Sequence, residues 1–335
     1  MQGMQGRLPN FFLAGVPKSG STSLYRYLEQ HPQIFMSPIK EPHFFADEVR
    51  IENFDGLYQS RAEPMVAVLR EFLDGPMTSH CSAGPVSDWA DYCKLFRHAA
   101  DETAVGEASV CYLWSRTAAR NIASRVPDAR FLIVLRNPVE RAFSQYVHML
   151  SFAEEPVSFR EHLDRSLRST SRRFSEMYPF LEFGLYGEQL KRLFGVVPSD
   201  RVRIYFYEDY CRDPAAMLRD IFGFLGVDDA FAPEFRERHM VARVPRSYEA
   251  RRWLKRSGAW RVARKLLPAS LCDRLKEAGL RPRSEFVFDP ADRAFVAEYY
   301  RRDLDKLAGL LGRDFGNWLS PTVSPSVADQ APIVL

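Results

Sequence analysis

Long apolar runs are missing from this chain of 335 residues. None approaches the roughly 20 residues that a helix needs to cross a bilayer, so no integral membrane association is expected. The opening residues, MQGMQGRLPN, carry no apolar stretch behind a basic start, which argues against a secretory signal. Cysteine is scarce too. The five (Cys81, Cys93, Cys111, Cys211 and Cys272) are odd in number, widely spaced and without a CxxC pair. That argues against a disulfide frame or a zinc site and for reduced thiols in a cytoplasmic setting. Charge of one sign is also lacking. The 46 Lys and Arg against 43 Asp and Glu leave a net charge of +3, which gives no mandate for nucleic acid and only permits anionic ligands. No internal repeat is present. What remains is an ordinary globular composition, 46% apolar and 27% charged, long enough for one large domain or two smaller ones.

The most informative stretch is residues 11–28, FFLAGVPKSGSTSLYRYL. Phe11, Phe12, Leu13 and Ala14 read as a buried strand that stops at Gly15. Pro17, Lys18, Ser19, Gly20, Ser21 and Thr22 follow before helical spacing begins at Leu24. Small residues let successive backbone N–H groups converge on one oxyanion, and the following helix adds its partly positive N-terminus. Lys18 supplies a full charge in the same turn. A plain strand-to-helix turn needs only the glycines; a lysine, three hydroxyls and two glycines together point to an anion cradle.

The helix ends at His31-Pro32. Residues 34–36 are a short strand candidate leading into SPIKEPHFF, residues 37–45, where a lysine, a glutamate and a histidine sit among prolines and aromatics. Such a loop is stiff, and it reads either as a surface turn with a solvated Lys40–Glu41 pair or as a positioned acid or base. Residues 46–100 show one amphipathic helix, at Trp89, Tyr92, Leu95 and Phe96, and read as an insertion bordering the substrate side. Aromatics between residues 44 and 114 suggest stacking surfaces there. TAVGEASVC, residues 103–111, reads as a strand ending in Glu107 and Ser109, with Tyr112 and Trp114 beyond. Strand ends are where open α/β sheets bind ligands. Glu107 is there either a buried organiser of loops or a substrate contact.

A second strong signal is FLIVLRNPVERAFSQYVHML, residues 131–150. Its first five residues suit a parallel strand buried on both faces. Asn137 is a helix cap, Pro138 fits the first helical position, and Glu140 stands where a capping-box acid belongs. Val139, Phe143, Tyr146, Val147 and Leu150 form an apolar face, with Arg141, Ser144 and His148 on the other. Arg136 at the strand's C-terminal edge and Ser144 two turns along are placed to hold a second phosphate, the arginine through its bidentate fork. The arginines of residues 160–173 read as solvated helix faces. Residues 202–207 form a third core strand, and Asp213-Pro214 opens a helix with Met217, Leu218, Ile221, Phe222 and Leu225 inside. Basic residues crowd residues 236–265, where Arg243 and Arg246 flank Val244-Pro245 in an expected loop that could close over a phosphate. A helix over residues 290–311 is expected to bury Phe295, Tyr299, Leu304, Leu307 and Leu311. Residues 320–335 read as a disordered tail and residues 1–10 as a flexible start.

Strands and helices in alternation predict an α/β fold of three layers, α/β/α, with a central, mainly parallel sheet and right-handed crossovers. In a P-loop NTPase, GxxxxGK[ST] places lysine directly after the second glycine. Here Gly15 and Gly20 keep that spacing, but Ser21 follows and the lysine is Lys18. The run FLIVL also leads into Arg136 with no metal-binding aspartate. A triphosphate with Mg²⁺ is poorly provided for, and no metal is expected.

PKSGSTSL at residues 17–24 and LRNPVERAFSQY at residues 135–146 resemble the two nucleotide-binding signatures of the sulfotransferases that use 3′-phosphoadenosine 5′-phosphosulfate, PAPS. KEPHFF at residues 40–45 and the strand GEASVCYL are similar to the branch holding heparan-sulfate sulfotransferases and bacterial enzymes. YEDYCRDP and LAGLLGRDFGNW follow its general pattern, so the resemblance spans residues 11–319, a single domain. It implies that Pro17, Lys18, Ser19, Gly20, Ser21, Thr22 and Ser23 enclose the 5′-phosphosulfate in a P-loop-like turn. Arg136 and Ser144 would hold the 3′-phosphate, with Arg243 and Arg246 as further donor contacts. Glu41 falls at the family's catalytic-base position and Lys40 beside it neutralises charge. His43 is a reserve base, a substrate contact or a packed structural histidine. Phe44, Glu107, Ser109 and Tyr112 are candidate acceptor contacts. The sulfuryl group carries less charge than a terminal phosphoryl group, so a lysine and backbone donors can support in-line transfer without Mg²⁺. The reading is of a bacterial-type enzyme that leaves PAP as product and takes a small-molecule or carbohydrate acceptor. An NTP-dependent kinase and a catalytically silent nucleotide-binding protein are the alternatives.

Overall fold

A computed structural model describes residues 7–81, 85–153, 155–235, 243–257, 271, 279–282 and 285–320. The expected tail, most of the flexible start, Arg236, Arg238 and the basic residues 261–265 lie outside the described residues. In chain order the elements are β1 (Phe11–Leu13), α1 (Ser21–Glu29), β2 (Ile34–Met36), α2 (Gly56–Asp74), α3 (Trp89–Lys94), β3 (Ala104–Ala108), α4 (Ala118–Arg125), β4 (Arg130–Leu135) and α5 (Pro138–Leu150). There follow α6 (Phe159–Arg168), α7 (Tyr186–Phe194), β5 (Val202–Phe206), α8 (Tyr207–Arg212), α9 (Pro214–Leu225), β6 (Arg243–Pro245), α10 (Tyr248–Ser257), β7 (Leu280–Pro282) and a long helix, α11 (Pro290–Leu311).

Five strands form one sheet in the order β2-β3-β1-β4-β5, with every pairing parallel. Successive strand residues point to opposite faces, so β1 serves two layers at once. Phe11 and Leu13 pack with Leu24 and Leu28 of α1 and with Ile221 and Phe222 of α9. Phe12 packs on the other side with Val139, Phe143 and Val147 of α5 and the α7 and α11 side chains. This is the expected α/β architecture. The chain builds outward from β1 to β2 and β3 on one side, then crosses to β4 and β5 on the other. The switch point therefore lies beside β1, where α/β sheets open a crevice at the strands' C-terminal ends. The segments after β1, β2, β3 and β4 are those singled out in the sequence.

Several local expectations shift in register. Asn137 caps α5 as expected, its side chain accepting from the Val139 and Glu140 N–H groups at 3.0 and 3.4 Å. Glu140 closes no capping box: its carboxylate pairs with Arg293, and the Asn137 N–H donates to Glu208 Oε1 at 2.9 Å. Arg141 and Ser144 do not face solvent, because further layers cover α5 on that side too; Arg141 is fully buried and donates to the Phe180 carbonyl at 2.6 Å. On α11 the inner row is Val296, Tyr300, Leu304 and Leu307, so Phe295 is exposed. Helix α2 escaped the sequence reading because, among its described side chains, only Ala62, Leu69 and Leu73 are buried, too sparse a stripe to show a period. Arg243 lies in β6, which pairs antiparallel with β7, and Arg246 follows that strand directly with its N–H bonded to the Gly279 carbonyl, so the two do not sit in a free loop.

Candidate functional site

At Gly15 the chain leaves β1, and an added Cβ there would lie 2.4 Å from the Val134 backbone nitrogen. Only glycine lets β4 pass that close. The turn then reverses through two left-handed residues, Lys18 at φ 68° and Gly20 at φ 83°. A lysine in that region is strained and has to be held. Ser19 is buried beneath it and donates to the Val16 carbonyl at 2.6 Å, and Arg136 Nη1 donates to the Lys18 carbonyl at 2.7 Å. Gly20 occupies the cap position of α1, and no side chain caps that helix. The N–H groups of its first turn are left for a ligand, with the positive end of the helix behind them. Tyr207 and Tyr210 of α8 press on Gly20, where a Cβ would meet the Tyr210 ring at 2.8 Å.

Arg136 links this turn to the end of β4. It is buried, its guanidinium lies 4.5 Å from the centre of the Tyr207 ring, and its carbonyl accepts from the Tyr186 hydroxyl at 2.8 Å. Ser144 is buried on α5, and His148 lies one turn further along the same face. Burial, and then the positive charge of Lys18, push His148 down to about 4. Arg243 and Arg246 sit apart from these groups in sequence and element, in and just after the strand β6 that packs against α5, and Arg246 faces Glu285 Oε1 at 3.4 Å.

The second half of the site is the segment after β2. Lys40 Nζ lies 3.1 Å from Glu41 Oε1, and His43 Nε2 lies 3.6 Å from Glu41 Oε2, which also accepts from the Val110 N–H at 3.0 Å. The side chains of Lys40, Glu41 and His43 keep between 15% and 20% of their surface, enough to meet a substrate from the crevice. His43, at φ 55°, donates its N–H to Ser109 Oγ at 3.0 Å and sets Nδ1 2.9 Å from Cys111 Sγ. Behind the loop, Glu107 is completely buried and accepts from the Tyr92 and Tyr112 hydroxyls at 3.0 and 2.7 Å and from Ser109 at 3.2 Å.

The charges sort themselves by environment. Burial works to raise the Glu41 carboxyl, but the charges of Lys40 and His43 and the hydrogen bonds from Lys40 and Val110 together outweigh it and hold the group below its ordinary value. His43 is lowered by burial, and by Lys40, against the pull of Glu41, so at neutral pH the loop carries an ionised Glu41 and a neutral His43. Glu107 is pushed up to about 7, by burial first, against its three hydroxyl donors. Among the described residues no group of three His, Cys, Asp or Glu side chains could hold a metal, and no helix is long and apolar enough to cross a membrane.

The structure thus brings Lys18, Ser19, Gly20, Arg136, Ser144, Lys40, Glu41 and His43 to one edge of the sheet. Phe44, within the loop, and Glu107, Ser109 and Tyr112, behind it, are all buried. The aromatics expected to offer stacking surfaces are largely spent on each other: Phe44 stacks on Tyr92 at 4.6 Å, and Trp114 packs against Phe183 at 5.5 Å. Three contributors went unnoticed in the sequence. His148 had a signal, its spacing of four from Ser144; Tyr207 and Cys111 had none, since their contacts join segments far apart in the chain.

Comparison with known proteins agrees with this geometry. A family profile described as "Sulfotransferase family" matches residues 9–232, from β1 through α9. Carbohydrate sulfotransferase 15 of Rattus norvegicus is 26% identical over 267 residues, covering 66% of this chain and 44% of that protein. The bifunctional heparan sulfate N-deacetylase/N-sulfotransferase 3 of Homo sapiens is 26% identical over 325 residues, 93% of this chain and 31% of that protein. The chain therefore spans less than half the length of these curated relatives. A crystal structure of a sulfotransferase from Alicyclobacillus acidocaldarius superposes with a TM-score of 0.67 at 28% identity, covering 94% of this chain and 100% of that one.

Proposed function

The chain belongs to the sulfotransferase family, and from that premise we propose that it moves the sulfuryl group of PAPS to an acceptor hydroxyl, with Lys18 and Glu41 on opposite sides of the transfer. The observation that carries the reading is the bond from Arg136 to the Lys18 carbonyl, which joins an uncapped, lysine-bearing helix N-terminus to a buried guanidinium and so sets two anion sites side by side. The cradle suits a phosphosulfate: Lys18 sits in its left-handed turn, and the first-turn amides of α1 have no side-chain cap. Ser19, Gly20, Ser21, Thr22 and Ser23 would surround the 5′ group, and Arg136 and Ser144 the 3′-phosphate, with Arg243 and Arg246 as outer contacts. PAPS supplies a sulfuryl group on a phosphate that is a good leaving group.

The residues then divide the work. Glu41, kept ionised by Lys40, accepts the proton of the acceptor hydroxyl as that oxygen forms its bond to sulfur. Lys18 and the α1 amides neutralise the charge that gathers on the departing phosphate oxygen as the old S–O bond breaks. His43, neutral and braced by Ser109 and Cys111, fills the space beside Glu41. The names of the relatives point to carbohydrate acceptors, and a carbohydrate or another small hydroxyl compound is the acceptor class we assign. A reducing, cytoplasmic setting and a bacterial-type enzyme complete the reading; Cys81, Cys93, Cys111 and Cys211 are all free thiols.

Thermal unfolding tests the donor assignment. Adenosine 3′,5′-bisphosphate should raise the unfolding temperature in EDTA, with adenosine 5′-phosphate doing so less. Protection by ATP that depends on Mg²⁺, with none from the bisphosphate, would sink it in favour of an NTP-using enzyme. Screening acceptors with PAPS and reading products by mass spectrometry identifies the acceptor.

A further inference from the structure

Beyond the Ser37–Ile39 turn at its start, the loop that carries Glu41 is secured from a distant part of the chain. Its N–H groups reach across to residues 109–112: His43 to Ser109 Oγ at 3.0 Å and Phe45 to the Tyr112 hydroxyl at 3.3 Å, while Glu41 itself accepts from Val110 at 3.0 Å. Each of those two hydroxyls has a single proton, and each gives it to Glu107. In its ionised form, which Glu107 takes up as pH rises through about 7, the carboxylate only accepts, so it fixes the direction in which its donors point. With their protons committed to Glu107, Ser109 and Tyr112 turn their lone pairs toward the loop. Tyr92 donates to the same carboxylate, at 3.0 Å, and its hydroxyl has no bond to the loop backbone in the structure.

We propose that Glu107 is a positioning residue for Glu41, acting through the Ser109 and Tyr112 hydroxyls, which hold the loop of residues 41–45 at the height of the donor turn. The inference rests on the reading of Glu41 as the base. A carboxylate taken fully out of water is costly unless its donors are in place, and here the donors are shared with a loop that holds His43 in the left-handed region. The arrangement ties the cost of burying Glu107 to the conformation of the loop.

Three single-hydroxyl deletions separate positioning from bulk stability: Ser109→Ala, Tyr112→Phe and Tyr92→Phe each remove one hydrogen bond to Glu107. All three should lower the unfolding temperature by similar amounts. Ser109→Ala and Tyr112→Phe should also lower kcat by roughly tenfold, the worth of one well-made hydrogen bond, with KM for PAPS and the Kd of adenosine 3′,5′-bisphosphate within about twofold of the parent. Tyr92→Phe should keep kcat within about twofold, since its lost bond supports no loop N–H. Glu107→Gln, which puts a donor where the carboxylate accepted, should fall at least as far as the relay variants. Wild-type kcat in either relay variant or in Glu107→Gln overturns the proposal, as does a loss in Tyr92→Phe equal to theirs. Glu41→Gln, measured alongside, keeps the two readings apart: full turnover in that variant removes the base itself, whereas its inactivity with fully active relay variants removes only the positioning role.

Discussion

The donor turn at residues 15–23 and the acceptor-side loop at residues 37–45 stand at the ends of β1 and β2, with β3 between those strands, yet they are built on opposite principles. The turn is made of backbone. Two glycines, a left-handed lysine and an uncapped helix end aim N–H groups at an anion, and the restraints come from adjoining strands and from Arg136. The loop offers side chains to the crevice and is held by partners 66 to 69 residues away: its His43 and Phe45 N–H groups donate to the Ser109 and Tyr112 hydroxyls, and Glu41 accepts from the Val110 N–H. A site that must receive a fixed, highly charged donor can be prebuilt from amides. A base that must meet a variable acceptor needs a side chain, and a side chain needs a scaffold.

Mutations can break that contrast from either side. The largest expected effect is chemical: Glu41→Gln should lower kcat by about 10²–10⁴ while the affinity for adenosine 3′,5′-bisphosphate stays within about twofold, measured by initial rates and calorimetry. If affinity falls with turnover, the two regions are not separate. Lys18→Ala belongs to the other side and should cost about 10²–10³ in kcat, with weaker bisphosphate binding as well. Arg136→Gln should weaken the bisphosphate by about 1.5–3 kcal/mol, the worth of a hydrogen bond to a charged group, and barely change adenosine 5′-phosphate, which lacks the 3′ group. Equal losses for both nucleotides would show Arg136 supporting the Lys18 loop rather than a second phosphate. Gly15→Ala acts first on the fold: its Cβ would press on the Val134 nitrogen at 2.4 Å, and forcing β4 away should cost about 1–3 kcal/mol in denaturant unfolding.

The same contrast explains what could be read from the sequence. The donor turn was legible because its signals are local: a buried run, a glycine pair at fixed spacing, a lysine between them, then helical periodicity. The strand-to-helix passage at Arg136, Asn137 and Pro138 was legible for the same reason, and its cap forms as the residues require. Periodicity failed where a helix is covered on more than one side. Arg141 and Ser144 occupy what a two-faced helix would show to water, but both are buried, for α11, α6, β6 and the segment around Phe180 also pack on α5. The role of Glu107 stayed open between organiser and substrate contact because a glutamate at a strand end looks the same in either case. Only the three hydroxyls that converge on it, one of them from α3 in the segment read as an insertion, show its local role.

The smallest effect concerns pH, and the two halves of the site should move in opposite directions. Glu107 sits at about 7 in the fold, raised above its ordinary value chiefly by burial. The folded protein therefore binds more protons than the unfolded chain between the two values, and stability falls as pH rises through about 7. His148, beside the donor turn, is depressed to about 4 by burial and by Lys18, so here the unfolded chain binds the extra proton and stability is lost as pH falls from the ordinary histidine value toward 4. Unfolding temperatures of the parent, Glu107→Gln and His148→Asn between pH 4.5 and 8.5 would show both. The advantage of the parent over Glu107→Gln should shrink as pH rises from about 4.5 to about 7 and level off above that, and its advantage over His148→Asn should shrink as pH falls from the ordinary histidine value toward 4. A parent-minus-variant difference that stays flat across that range for Glu107→Gln would mean that the buried carboxyl does not change its charge there. The loop would then be held by the same hydrogen bonds at every pH at which the enzyme is assayed.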